Sequence, residues 1–288
     1  MSRVIFFLMW VAQWLPYPAM AFIGRRVGAI AFRLIPERRI VTRINLGKCF
    51  PSMDPAAREA LAREHFAAFC RAFLDRAILW WSPRARVERL VRIEGLEHIR
   101  ALNGAPSILF APHFVGLDAG FARLACEIDM VSMYANQKDP KFTELLMRGR
   151  TRFGQQRLVS RQEGIRATLA AMKSGLPLYY LPDQDYGPRD ALFVPFFGVP
   201  AATVPGLARL AKVAGAKVLP CVTELRDDGY VLRIEPPWDN FPGGDLAADT
   251  RRMNEFIERR IAQMPAQYFW MHKRFKTRPP GEARFYPS

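Results

Sequence analysis

A histidine and an aspartate five residues apart carry the first sign of chemistry in this chain. In Ala111-Pro112-His113-Phe114-Val115-Gly116-Leu117-Asp118, the apolar run Ile108-Leu109-Phe110 delivers His113 at the end of a strand-like segment, and Asp118 follows at the opening of a helix-like one. In open α/β sheets, ligands gather at the C-terminal ends of strands. Positions i and i+5 of a regular helix lie about 140° apart, so this pair meets only across a loop, which Gly116 permits. As a dyad, Asp118 accepts the Nδ1 proton of His113, and the free Nε2 removes a proton from an alcohol. The blander alternative is a polar loop histidine beside a helix-capping aspartate.

A second apolar segment, residues 176–181, ends in Asp183, Gln184 and Asp185. These side chains could bind sugar hydroxyls or orient the dyad, or they form an ordinary acidic turn, as the Gly187-Pro188 pair suggests. The following stretch is apolar and broken by prolines. It suits the wall of an acyl groove, with Phe114, Phe193, Phe196 and Phe197 as candidates, or a loop packed on the core. Arg161 is a candidate for binding a phosphate or stabilising an oxyanion, although with 34 arginines in the chain the default for any one is a solvated face. The sequence has no GxSxG elbow, P-loop or GxGxxG. His65, His98 and His272 are not at metal-ligand spacing, and the four cysteines stand at least 21 residues apart without a CxxC pair. No metal and no nucleotide cofactor are expected, and the thiols read as reduced and buried.

These groups need a scaffold. Strand-like runs at 91–94, 108–112, 130–135, 176–181, 218–224 and 230–235 alternate with helix-like runs at 116–127, 139–152, 162–174, 203–214 and 246–264. This order predicts an α/β fold with a mixed, mainly parallel central sheet flanked by helices and an antiparallel edge. Asp227-Asp228-Gly229 reads as a hairpin turn. Residues 55–81 read as one long amphipathic helix with Asp54 as its cap. Its last turn, Ile78-Leu79-Trp80-Trp81, is either deeply buried or a membrane-touching patch. The tail from 277 to 288 is expected to be irregular.

At 288 residues and 50% hydrophobic, the chain is long enough for a sizeable core and too apolar for disorder. Its +15 charge is concentrated at the ends: residues 1–50 hold eight basic side chains against Glu37 alone, and residues 273–288 hold five against Glu282. Two basic ends around a nearly balanced body fit an anionic membrane or an acidic partner better than a nucleic-acid groove. Residues 4–23 are the one membrane-like stretch, interrupted by Gln13, Pro16 and Pro18. The readings are a membrane anchor that spans or dips, a signal peptide, or a buried helical hairpin. The arginines that follow favour a cytoplasmic body. The Tyr268-Phe269-Trp270 run beside the 273–278 basic cluster suits a membrane interface. The division expected is 1–45 as membrane anchor and 46–288 as the enzymatic domain.

Taken in order, these pieces resemble the bacterial lipid A biosynthesis acyltransferases, the late lauroyl/myristoyl group within the lysophospholipid acyltransferase superfamily. Leu15-Pro16-Tyr17-Pro18 with Gly24-Arg25-Arg26-Val27-Gly28 looks like the family's N-terminal segment, and Arg43-Ile44-Asn45-Leu46-Gly47-Lys48-Cys49-Phe50-Pro51 like its RxNL…CFP element. His113 to Asp118 matches the H-x4-D/E block, although many relatives carry glutamate at the second position. The Asp183 block matches the third element, and the stretch from Tyr268 to Gly281 the C-terminal signature. The resemblance implies a glycerol-phosphate-acyltransferase-like fold, acyl carrier protein as donor, a lipid A precursor as acceptor, and the cytoplasmic face of the bacterial inner membrane with its anionic lipids. Where the wider superfamily has an FPEGTR-type block, this chain has the Asp183 block. That argues against glycerol-3-phosphate or lysophosphatidate as acceptor. Another lysophospholipid, an aminolipid, or a non-catalytic lipid-binding role are the alternatives.

Overall fold

The computed structural model describes residues 2–135, 139–160 and 164–287. Five α-helices come first: α1 (Ser2–Ala12), α2 (Tyr17–Leu34), α3 (Pro36–Cys49), α4 (Pro55–Trp81) and α5 (Arg84–Leu90). The α/β body follows as β1 (Val91–Glu94), α6 (Leu96–Arg100), β2 (Ser107–Phe110), α7 (Leu117–Ala125), β3 (Val131–Tyr134), α8 (Pro140–Arg150), β4 (Arg157–Ser160), α9 (Ile165–Lys173) and β5 (Leu178–Tyr180). It closes with β6 (Leu192–Phe196), β7 (Val199–Thr203), α10 (Gly206–Ala214), β8 (Lys217–Arg226), β9 (Gly229–Ile234) and α11 (Leu246–Gln263).

Seven strands form one sheet in the order β1-β9-β8-β2-β5-β3-β4, and β6 and β7 form a separate hairpin. From β8 to β4 the strands run parallel, while β9 lies antiparallel to β8 and parallel to β1. The mainly parallel sheet and the antiparallel edge expected from the sequence are both present. Alternation along β2 sends Ile108 and Phe110 into the core on one face and Leu109 into the core on the other. With both faces covered, β2 is buried at every position, as a central parallel strand must be.

The 27-residue α4 crosses the molecule and serves both cores. Asp54 caps it by accepting from Ala57 N at 3.0 Å. Leu61, Ala62 and Phe66 enter one core, and Ala77 to Trp80 the other. In the apolar last turn Ile78, Leu79 and Trp80 are therefore buried in the core, and Trp81 is half-buried against it. His65, on the same helix, is wholly buried and shares its Nδ1 with the Ala266 carbonyl at 2.9 Å.

The N-terminal segment is not one membrane-length helix. Pro16 and Pro18 separate α1 from α2, because proline is tolerated only in a helix's first turn. No helix among the described residues is long and apolar enough to cross a membrane. α2 lies on α4 at very short range: a Cβ on Gly24 or Gly28 would come within 2.5 Å of the Arg71 or Ala67 Cα. Residue 45, where the anchor was expected to end, falls inside α3. Asn45 is fully buried there and donates to the carbonyls of Trp270 (2.7 Å) and His272 (2.8 Å). These helices are thus built onto the α/β body.

Candidate active site

β2 and β5 are neighbours, paired so that Phe110 stands opposite Tyr180. Each chain then leaves the sheet at the same end. Three residues beyond Phe110 is His113, and three beyond Tyr180 is Asp183. The two loops bring these side chains together: His113 Nδ1 lies 2.6 Å from Asp183 Oδ1, and the His113 backbone N–H donates to Oδ2 at 3.0 Å. One carboxylate therefore fixes both the loop and the ring. Asp183 is completely buried. Burial opposes its charge, but the His113 ring and N–H, helped by Arg274, outweigh burial and hold the carboxyl below its usual range.

The C-terminal segment straps this loop down. Phe269 N donates to the His113 carbonyl (2.9 Å), Val115 N donates to the Gln267 carbonyl (2.8 Å), and Phe269 stacks on the imidazole with ring centres 6.4 Å apart. Asn45 holds the back of the same strap. With Nδ1–H committed to Asp183, Nε2 is left as the basic atom.

His113 lines a cavity of about 560 Å³. Its apolar wall includes Phe69 and Phe73 of α4, Phe142 of α8, and Phe269. Its polar wall holds Arg76, Asp118 and Arg150.

Asp118 makes no hydrogen bond to His113. It opens α7 and turns to the other side, where Arg76 Nε (2.7 Å) and Nη2 take Oδ2, and Arg150 Nη2 (2.8 Å) takes Oδ1. Burial raises its pKa, but the two guanidinium groups overcome that and hold it well below the carboxylate range. The carboxylate hydrogen-bonded to His113 is thus Asp183, and not Asp118, the partner expected from the five-residue spacing. His113 lies in the loop after β2 and Asp118 in the first turn of α7, where Arg76 of α4 and Arg150 of α8 take its carboxylate, while the adjacent parallel strand β5 leads to Asp183 beside the imidazole.

A model of the bacterial lipid A biosynthesis acyltransferase family matches residues 2–277. The chain belongs to that family. The acyltransferase is 32% identical to the lipid A biosynthesis lauroyltransferase of Escherichia coli K12 over 279 residues, which is 95% of this chain and 90% of that one. It is 35% identical to the myristoyltransferase of the same strain over 289 residues, covering 95% and 89%. Among solved structures it resembles the 1-acyl-sn-glycerophosphate acyltransferase PlsC of Thermotoga maritima, at TM-score 0.41 and 15% identity, over 86% of this chain and 99% of that one.

The other residues singled out from the acyltransferase's sequence fall into different places. Gln184 lines the cavity. Asp185 does not. Its carboxylate accepts from Thr277 N (2.7 Å), Thr277 Oγ1 (2.9 Å) and Gly187 N (2.9 Å), and its N–H donates to His272 Nε2 at 3.1 Å. It fastens the loop to the C-terminal segment instead of facing a substrate. Phe114 is buried against Tyr268 at the cavity's edge. Phe193, Phe196 and Phe197 do not line this cavity, because residues 192–203 form the β6–β7 hairpin. Phe193 lies on its outer side, Phe196 is buried beneath Arg274, and Phe197 occupies the turn with φ of 51°. Arg161 lies outside the described residues. The Tyr268-Phe269-Trp270 run is no membrane interface: Tyr268 and Trp270 are 2% and 0% exposed, and Arg274 is buried with them. None of the cysteines lines the cavity, and burial raises the thiols of Cys49, Cys70, Cys126 and Cys221.

The acyltransferase's sequence signals missed the aromatic wall and the arginine pair. Phe69 and Phe73 recur at helical spacing and read as core. Nothing set Arg76 and Arg150 apart from the other arginines.

Two buried histidines near this strap give a stability prediction. Burial lowers both His65 and His272 to about 4; beside His272, the His113 and Arg274 charges add to that effect. Unfolded, each titrates near ~6.5, so between those values the unfolded chain binds more protons. Their stabilising contribution is full above ~6.5 and is lost as pH falls toward 4. Asp75, raised to about 6 mainly by burial, works the other way, its contribution being lost as pH rises through 6. Two histidines outweigh one aspartate. Thermal melts should show a lower Tm at pH 5 than at pH 7, and an equal or higher value would contradict this assignment.

Proposed function

We propose that the protein transfers a fatty acyl chain from acyl carrier protein to a hydroxyl of a lipid A precursor, with His113 as general base. The observation that carries this reading is an imidazole pinned by a buried, ionised Asp183 at the head of an aromatic-walled cavity, in a chain of this family. His113 Nε2 removes the proton of the acceptor hydroxyl. The resulting alkoxide attacks the thioester carbonyl carbon and forms a tetrahedral oxyanion. As that collapses, the C–S bond breaks and the departing thiolate takes the proton back from the imidazolium. Asp183 holds the reactive tautomer and stabilises the imidazolium. No thiol is suited to carry an acyl-enzyme, so transfer is direct.

Mass spectrometry of lipid A from cells with and without the gene tests this. Loss of one acyl chain is the expected result and identifies its length and position. Unchanged lipid A, with a lysophospholipid or aminolipid altered instead, would overturn the acceptor assignment.

The same reading puts the protein on the cytoplasmic face of the inner membrane, lying in the interface and not spanning it. Phe7, Trp10, Trp14, Phe22, Ile30 and Leu34 of the first two helices and their connection are exposed, and Arg25, Arg26 and Arg33 lie among them. An exposed apolar face edged with arginines is the pattern of an interfacial helix. Near an anionic surface each arginine is worth about 1 kcal/mol. Replacing all three by glutamine should weaken binding to anionic vesicles roughly 100-fold at low salt, with a smaller effect at high salt. Equal binding of the two proteins to such vesicles would count against this orientation.

A further inference from the structure

Arg76 of α4 and Arg150 of α8 bring two guanidinium groups to the cavity wall, with Asp118 between them. Both oxygens of that carboxylate are committed, Oδ2 to Arg76 and Oδ1 to Arg150. Two cations share one anion, so the trio carries a net positive charge among aromatic side chains, where charge is poorly screened. Several donors are left over. Among the described residues, Arg76 Nη1 and Arg150 Nη1 make no hydrogen bond, and Arg150 Nε is buried without a partner. Arg152, two residues along, is different: it is spent on the carbonyls of Leu79 (2.9 Å) and Ser82 (2.7 Å).

The guanidinium planes are also fixed. Arg76 lies over Phe73 (4.8 Å) and Trp80 (5.8 Å), and Arg150 over Phe121 (5.4 Å). Their faces are covered by rings and Asp118 holds one edge of each, which leaves the Nη1 groups for a ligand. A planar, pre-oriented fork with spare donors matches a tetrahedral oxyanion of stable charge.

We propose that Arg76 and Arg150 form a phosphate-binding subsite, braced by Asp118, that holds a phosphate ester of the substrate while His113 acts on its hydroxyl. This rests on the acyl-transfer reading above and assigns Asp118 to the arginines instead of to the base. Two substrates could supply the group, the acceptor sugar or the phosphopantetheine arm of the donor, and the shared chemistry is a phosphate ester. A transient thioester oxyanion fits less well, because the pair is tied to a carboxylate whose hydrogen bonds go to the arginines and not to His113.

Equilibrium binding in detergent micelles tests it without turnover. The probes are a phosphorylated lipid A precursor against its dephosphorylated form, and acyl-phosphopantetheine against acyl-pantetheine. The wild-type protein should bind the phosphorylated member of one pair at least about tenfold tighter, as expected for a charge-assisted bidentate contact, and that pair identifies the source. Arg76→Gln and Arg150→Gln should each reduce the preference. Arg76→Lys and Arg150→Lys, which keep the charge but lose the fork, should restore it only in part and stand in if the glutamine variants fail to fold. Phosphate preference absent from both pairs, or unchanged in the arginine variants, would overturn the subsite. So would variants that slow turnover with binding unchanged, because that marks an oxyanion role. Phosphate-dependent binding in a wild-type protein that transfers no acyl chain would instead overturn the proposed function and leave the subsite standing.

Discussion

His113→Ala should lower the acyl-transfer rate about 10²- to 10⁴-fold, the usual contribution of a positioned general base. The loss should fall on turnover, because the imidazole is one of many side chains lining a cavity whose walls also come from α4, α8, β3, β5 and the segment after β5. The variant should remain folded. The ring is only part of Asp183's surroundings, and the residue-113 backbone N–H still donates to Oδ2, as it does at 3.0 Å in the wild type. His113→Gln, which keeps a polar side chain near that carboxylate, is the companion variant if alanine lowers the melting temperature. Near-normal transfer by a folded His113 variant would remove the base from the mechanism.

Asp183→Asn should be nearly as damaging. It preserves shape and removes the charge that selects the tautomer and stabilises the imidazolium, a change that costs up to about 10⁴-fold in kcat behind a histidine base. Asp118→Asn should behave differently. Asp118 braces two arginines, so its loss should raise KM for the phosphorylated substrate by a larger factor than it lowers kcat. Steady-state kinetics on the two variants separates the roles. If Asp118→Asn abolishes kcat with KM unchanged and Asp183→Asn is mild, the spacing-based dyad was right and the geometric one wrong.

That contrast shows where sequence reasoning reached and where it stopped. The alternation of strands and helices after residue 88 was legible because β2, β5 and β8 are continuous apolar runs and α11 carries helical periodicity, and Asp54 marks the start of α4 chemically. β4 and the proline-containing β6–β7 hairpin were not, because short strands and prolines leave little pattern to read. His113 was visible as a polar residue at the end of an apolar strand. Its partner was not, since the choice between Asp118 and Asp183 depends on which strands are neighbours. Once β5 lies beside β2 with Tyr180 opposite Phe110, Asp183 follows by counting. The Tyr268-Phe269-Trp270 run shows the converse limit. Aromatic residues beside basic ones suit a membrane interface or a core equally well, and only Asn45 reaching across to the Trp270 carbonyl reveals that this run is an internal strap.

The central claim is that His113, held by Asp183, is the base for acyl transfer to a lipid A precursor. Its most direct test incubates purified protein with an acyl carrier protein thioester and the precursor, and follows the product by mass spectrometry for the wild type, His113→Ala and Asp183→Asn. The account predicts a precursor heavier by one ester-linked acyl chain, formed by the wild type and slowed about 100-fold or more by each substitution. Wild-type rates from folded variants, or no acylated product from the wild type, would contradict it.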